Sequence, residues 1–152
     1  AYYNGFHGDN AYTFRVGELT QEAGQLLRVT QESLMKGIQQ AKAGNRIGDI
    51  SNAIQTYTES FGYGVVREYI GHGVGRELHE DPEVPNFGKP GRGMRLVPGM
   101  TIAVETMINL PGAGVCQLAD GWTVVTKSGS ISAHFEHTIL ITEGGARILT
   151  VR

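Results

Sequence analysis

Apolar residues recur along two stretches of the chain at the three- and four-residue steps of an α-helix. Leu27, Leu34, Ile38 and Ala41 keep that spacing over Thr20 to Lys42, with Thr20 placed to cap the start and Gly44 to stop the helix. Ile47, Ile50, Ile54, Tyr57 and Phe61 keep it over Asn45 to Phe61, before Gly62 and Gly64 break the pattern. After residue 64 the pattern changes to β-branched and aromatic runs bounded by Gly, Pro or Asp. Val65 to Ile70, Thr101 to Ile108, Trp122 to Lys127, Ile131 to Thr142 and Arg147 to Val151 read as strands. Residues 1–16 read as a hairpin or paired strands, with Tyr2, Tyr3 and Phe6 leading into a turn region that carries His7 and Gly8, and then Tyr12 to Val16. Asp81 to Pro98 holds Pro82, Pro85, Pro90 and Pro98 among Gly88, Gly91 and Gly93, so it reads as a long rigid loop. Two amphipathic helices followed by antiparallel strands predict an α+β fold in which the helices pack on a curved sheet.

Composition narrows the function. The 152 residues fit one domain, 1–152, with a core of useful size. Thirteen Lys and Arg against 15 Asp and Glu leave a net charge of −2, so no field draws the chain to nucleic acid or an anionic membrane. Cys116 is the single cysteine, which excludes an intramolecular disulfide and a thiolate-rich metal site and fits a reducing, cytoplasmic setting. No apolar run approaches the ~18 residues of a membrane helix. The chain opens on Ala1-Tyr2-Tyr3 rather than on Met or a polar tail, and is expected to begin inside an element.

Four residues place ionisable chemistry where the pattern calls for apolar or glycine-lined strand. Period two puts Glu105 on the face of Ala103 and Met107, and Glu136 on the face of His134 and Thr138. An unpaired carboxylate there is costly, so each is expected to meet a partner. His72 stands between Gly71 and Gly73, whose missing side chains let backbone approach a ligand or another strand. Asp9 follows the first turn. Taken singly, a strand Glu is more often paired with Arg or solvated, and a lone His more often bonds within a core; His7, His134 and His137 fall mainly under that reading, with His7 and His134 near enough to support ligands. Taken together, Asp9, His72, Glu105 and Glu136 form a hard, oxygen-rich set suited to Co, Mn, Fe or Zn, with carboxylates able to bridge two ions. Such a pair, ~3.5 to 4 Å apart, suits amide hydrolysis. The seven residues from His72 to His79 do not fit the i, i+4 pair of a zinc-protease helix, and Gly71-His72-Gly73-Val74-Gly75 is no dinucleotide fingerprint.

In this order the motifs resemble the bacterial type I methionine aminopeptidases, among the creatinase-like, pita-bread metallopeptidases. The matching pieces are Asn4-Gly5-Phe6-His7-Gly8-Asp9, Thr30-Gln31-Glu32-Ser33-Leu34, Val65-Val66-Arg67-Glu68-Tyr69, Gly71-His72-Gly73-Val74-Gly75-Arg76 and His79-Glu80-Asp81-Pro82. They continue through Pro98-Gly99-Met100-Thr101 to Glu105, Asp120-Gly121-Trp122-Thr123-Val124 and Ser132-Ala133-His134-Phe135-Glu136-His137-Thr138. The resemblance implies a truncated pita-bread fold, the C-terminal portion of such a domain, because the family carries a preceding half and a further metal-binding Asp ahead of Asn4. One metal site is then short of a carboxylate. The resemblance also implies that Asp9 and Glu136 bridge up to two divalent metal ions, with His72 and Glu105 completing one site. By the same resemblance, metal-bound hydroxide would attack the first peptide carbonyl, Glu105 would handle the water's proton, His79 would contact the substrate and its oxyanion, and Leu78 and Trp122 would wall the methionine pocket. The implied substrate is a peptide or nascent-chain N-terminus beginning with Met. The ribosome is an implied partner, and the implied state is a monomer. Leu78 stands where the family usually has Phe, Thr106 where Pro follows the Glu, and His134 where Gln is common. The alternatives are an Xaa-Pro aminopeptidase or dipeptidase of the same fold, against which Asp120-Gly121-Trp122 speaks, and a catalytically silent binding module.

Overall fold

Helix α1 (Gln21–Gln40) starts where the sequence places its cap, the Thr20 hydroxyl accepting the Ala23 N–H at 3.1 Å. A computed structural model describes residues 1–151; Arg152, last of the expected domain, lies outside the described residues. Helix α2 (Ile47–Glu59) begins with the Asp49 carboxylate accepting the Arg46 N–H at 2.8 Å. Leu26, Val29, Leu34 and Ile38 of α1 and Ile47, Ile50 and Ile54 of α2 are buried in one core. No helix among the described residues is long and apolar enough to cross a membrane.

The helices cover a six-stranded antiparallel sheet. Its strands are β3 (Gly64–Val65), β4 (Gly71–Gly73), β5 (Glu80–Val84), β6 (Thr101–Asn109), β9 (Ser132–Thr142) and β10 (Gly145–Ile148). The order is β10-β9-β6-β4-β5, with β3 paired to the far end of β6. Two-residue strands β1 (Tyr2–Tyr3) and β2 (Phe6–His7) pair with each other, as do β7 (Val115–Gln117) and β8 (Val124–Thr126). Along the long pair β6 and β9, side chains alternate between faces. Ile102, Val104, Ile108, Phe135, Ile139 and Ile141 turn into the helix-covered core, each such side chain contributing about 1.5–3 kcal/mol of burial. The Thr106 hydroxyl on that face donates to the Thr30 carbonyl at 3.2 Å, tying α1 to the sheet. The opposite face is left for Glu105, His134 and Glu136.

Several expected boundaries move. The hairpin expected over 1–16 closes at Asn4-Gly5, and Tyr12 bridges Phe135 of β9 instead of returning to the first strand. Only Gly64–Val65 of the run to Ile70 is strand, because Arg67, Glu68 and Tyr69 turn outward after Val66 donates to the Met107 carbonyl at 3.0 Å. The stretch expected as loop from Asp81 contains most of β5; Pro82 is tolerated because β5 is the sheet's edge.

Candidate metal centre

Antiparallel register sets Glu105 of β6 directly opposite Glu136 of β9, on the face turned away from the helices. Ala103 stands between Thr138 on one side and His72 on the other, so β4 brings His72 onto that face as well. The glycines beside His72 answer a backbone approach. A Cβ at Gly71 would lie 2.3 Å from the Ala103 carbonyl oxygen, and one at Gly73 2.2 Å from that of Asp81. Asp9 arrives from the segment running along β9, where Thr138 Oγ1 accepts the Asp9 N–H at 3.0 Å and donates to the Asp9 carbonyl at 2.7 Å. Glu136 N–H donates to the Ala11 carbonyl in the same run.

These side chains converge with no hydrogen bond between them among the described residues. His72 Nδ1 lies 2.9 Å from the Gly73 carbonyl, which only accepts, so Nδ1 carries a proton and Nε2 is the ring nitrogen turned towards the carboxyl groups. Nε2 faces Asp9 Oδ2 at 3.8 Å and Glu105 Oε1 at 3.7 Å, too far for hydrogen bonds. Glu136 is 5% exposed, and its carboxylate receives no side-chain hydrogen bond among the described residues. Burial first, then the charges of Glu105 and Asp9, push its pKa up to about 8. Ligand atoms of Asp9, His72 and Glu136 lie within 4.8 Å of one another, and so do those of Glu105, His134 and Glu136. Glu136 belongs to both groups. A divalent cation would supply the positive charge that the arrangement lacks, and carboxylate oxygens with imidazole nitrogen are the donors that Mn, Fe, Co or Zn accept.

Beside this gap opens a cavity of about 420 Å³, with Val66, Tyr69, Ile70 and Met107 among its walls and Glu105 and His134 at one side. His79 also lines it, its ring 4.4 Å from that of His72. Leu78 and Trp122 are not among the lining residues. Leu78 is 37% exposed, and Trp122, 87% exposed, sits near the tip of the β7–β8 hairpin. There the Thr123 hydroxyl, and after it the N–H groups of Trp122 and Thr123, donate to Asp120 and hold its carboxyl below the usual range. Two histidines stand apart from the centre. His7 Nδ1 meets the Arg76 carbonyl at 3.1 Å, and His137 meets Thr150 Oγ1 at 2.9 Å, where burial lowers its pKa. Sequence reasoning gave His134 little weight, although its two-residue spacing from Glu136 was the signal. It did not find the walls Val66, Tyr69 and Ile70, because it read them as strand.

The family model for metallopeptidase family M24 matches residues 1–143. Methionine aminopeptidase 1 of Bacillus subtilis is 56% identical over 147 residues, 97% of this chain and 59% of that protein. The crystal structure of a methionine aminopeptidase from Thermotoga maritima superposes with a TM-score of 0.96 at 54% identity, over 99% of this chain and 60% of that one. Prolidase from Pyrococcus furiosus shares the fold at a TM-score of 0.75 and 26% identity, over 99% of this chain and 39% of that one. The chain thus spans about three fifths of the length of the curated relatives it matches. These likenesses give the sheet and its two helices the pita-bread arrangement expected from the motifs. By a match that takes in Asp9, His72, Glu105 and Glu136 alike, the chain belongs to metallopeptidase family M24.

Proposed function

We propose that this chain carries the metal centre and substrate pocket of an aminopeptidase that removes N-terminal methionine from peptides and nascent proteins in the cytoplasm. The observation that carries the reading is the convergence of the Asp9, Glu105 and Glu136 carboxyl groups and His72 Nε2 on one gap beside an apolar cavity. When bound there, one or two divalent cations supply Lewis acidity that lowers the pKa of water and polarises a carbonyl. Glu105, at the edge of both the gap and the cavity, is placed to take the water's proton. His79 reaches the cavity from the His72 side and donates a hydrogen bond to the scissile carbonyl as charge develops on its oxygen. Val66, Tyr69, Ile70 and Met107 give the unbranched thioether side chain of methionine an apolar seat. Leu78 and Trp122, both exposed, enter this reading only as the further pocket walls that the motifs imply. The greater likeness to methionine aminopeptidases than to prolidases supports Met over Xaa-Pro specificity.

The test is direct. The protein that carries this chain, loaded with Mn(II) or Co(II), should cleave a Met-Ala peptide and leave an Xaa-Pro peptide intact, and Glu136→Ala should lose both metal and cleavage. Preference for the Xaa-Pro peptide would point to the dipeptidase alternative. Metal-independent behaviour unchanged in Glu136→Ala would point to a silent module.

A further inference from the structure

We infer that His134 is a further ligand of the metal centre, taking a cation together with Glu105 and Glu136. This rests on the reading that the carboxylate gap holds a divalent cation. Residues 134 and 136 share one face of β9, and His134 stands opposite Met107, which makes Glu105 its diagonal neighbour across the strand pair. Long side chains reach each other over that diagonal. His134 is part-exposed, but its Nε2 atom is buried, lies 3.3 Å from Glu105 Oε2 and makes no hydrogen bond among the described residues. A buried ring nitrogen without a hydrogen bond is costly, and the carboxylate oxygen it faces is out of hydrogen-bond alignment. Two ligand atoms on one cation, each bonded at about 2.0–2.2 Å, lie about 2.8–3.6 Å apart in octahedral or tetrahedral geometry. The 3.3 Å separation falls in that interval, and a ligand oxygen of Glu136 is within 4.8 Å of both. Glu136 is 5% exposed, and its carboxyl group receives no side-chain hydrogen bond among the described residues. The chemistry that fits is a borderline cation such as Zn(II) or Co(II), which accepts imidazole alongside carboxylate.

The experiment uses protein labelled with ¹⁵N-histidine, stripped with chelator and titrated with Zn(II). Long-range ¹H–¹⁵N spectra report each ring nitrogen. Nε2 of His134 and Nε2 of His72 should both shift at stoichiometric metal. His134→Gln should remove one of these responses, keep the other, retain the backbone spectrum and bind Zn(II) on the order of tenfold or more weakly. A response of His72 alone, with unchanged affinity in His134→Gln, would overturn the assignment. Silence from both histidines would mean that the gap holds no cation, and the inference would fall with the reading beneath it.

Discussion

Without metal, the Glu136 carboxyl makes the fold less stable as pH rises, and the size of that effect follows from its surroundings. Its pKa moves from an ordinary 4.5 to about 8 on folding, because burial and the neighbouring Glu105 and Asp9 disfavour the charged form. The folded state therefore holds a proton that the unfolded chain has released between those two values, and the linkage slope is negative there. The contribution is fully present below pH 4.5 and lost as pH climbs through about 8. At 1.36 kcal/mol per pH unit the whole interval corresponds to about 5 kcal/mol, a large part of the 5–15 kcal/mol that holds a typical domain. His137 acts in the opposite sense. Burial lowers its folded pKa below 6.5, so the stability it contributes grows as pH rises towards that value and stays constant above it. The window that isolates Glu136 is thus pH 6.5 to 8.

Urea unfolding in excess chelator, followed at half-unit steps across that window, should show stability falling by on the order of 1 kcal/mol per pH unit. Glu136→Gln keeps the shape of the side chain without the charge and should flatten the profile. Saturating Zn(II) should flatten it too, since the cation holds the carboxylate ionised. A wild-type profile already flat in chelator, or a slope that survives in Glu136→Gln, would refute the account of a carboxyl group buried beside Glu105 and Asp9.

Two further substitutions probe how the gap is built. Gly71→Ala forces a Cβ against the Ala103 carbonyl oxygen, 2.3 Å away, which is backbone and cannot swing aside. It should cost about 1–3 kcal/mol in urea unfolding and weaken Zn(II) binding measured by calorimetry, because His72 shifts with β4. Thr138→Val removes the hydroxyl that holds both the N–H and the carbonyl of Asp9. Zn(II) affinity should fall about ten- to a hundredfold, and retained affinity would show that Asp9 is held by other contacts.

Local signals were the legible ones. The Thr20 cap and the helical spacing of Leu34, Ile38, Ile50 and Ile54 depend on neighbours within a turn or two, and the helices formed within a few residues of expectation. Alternation along β6 and β9 placed Glu105 and Glu136 correctly relative to their own strands, but which residues faced each other required the register. Long-range pairing was invisible where local chemistry opposed it. Pro82 argued against a strand at β5, and only its edge position made one possible. Val115-Cys116-Gln117 was too short a run to announce β7. The surroundings of His134 were illegible for a related reason: a histidine in a strand is ordinary, and only the diagonal to Glu105 shows what its Nε2 meets.

The two faces of one strand pair explain why a stable fold can carry so unfavourable a cluster. On the helix side, Ile102, Val104, Ile108, Ile139 and Ile141 are each fully buried. Five such side chains at about 1.5–3 kcal/mol each outweigh the ~5 kcal/mol that one forced ionisation at Glu136 can cost. On the other side, the residues alternating with them set Glu105 opposite Glu136, with Asp9 held beside them by Thr138, and the backbone ladder keeps the two strand carboxyl groups from moving apart. The sheet therefore acts as a rigid support whose apolar face maintains the geometry that its acidic face would otherwise relax. A cation entering the gap meets ligands already at close range, so little of its binding free energy goes into reorganising the protein.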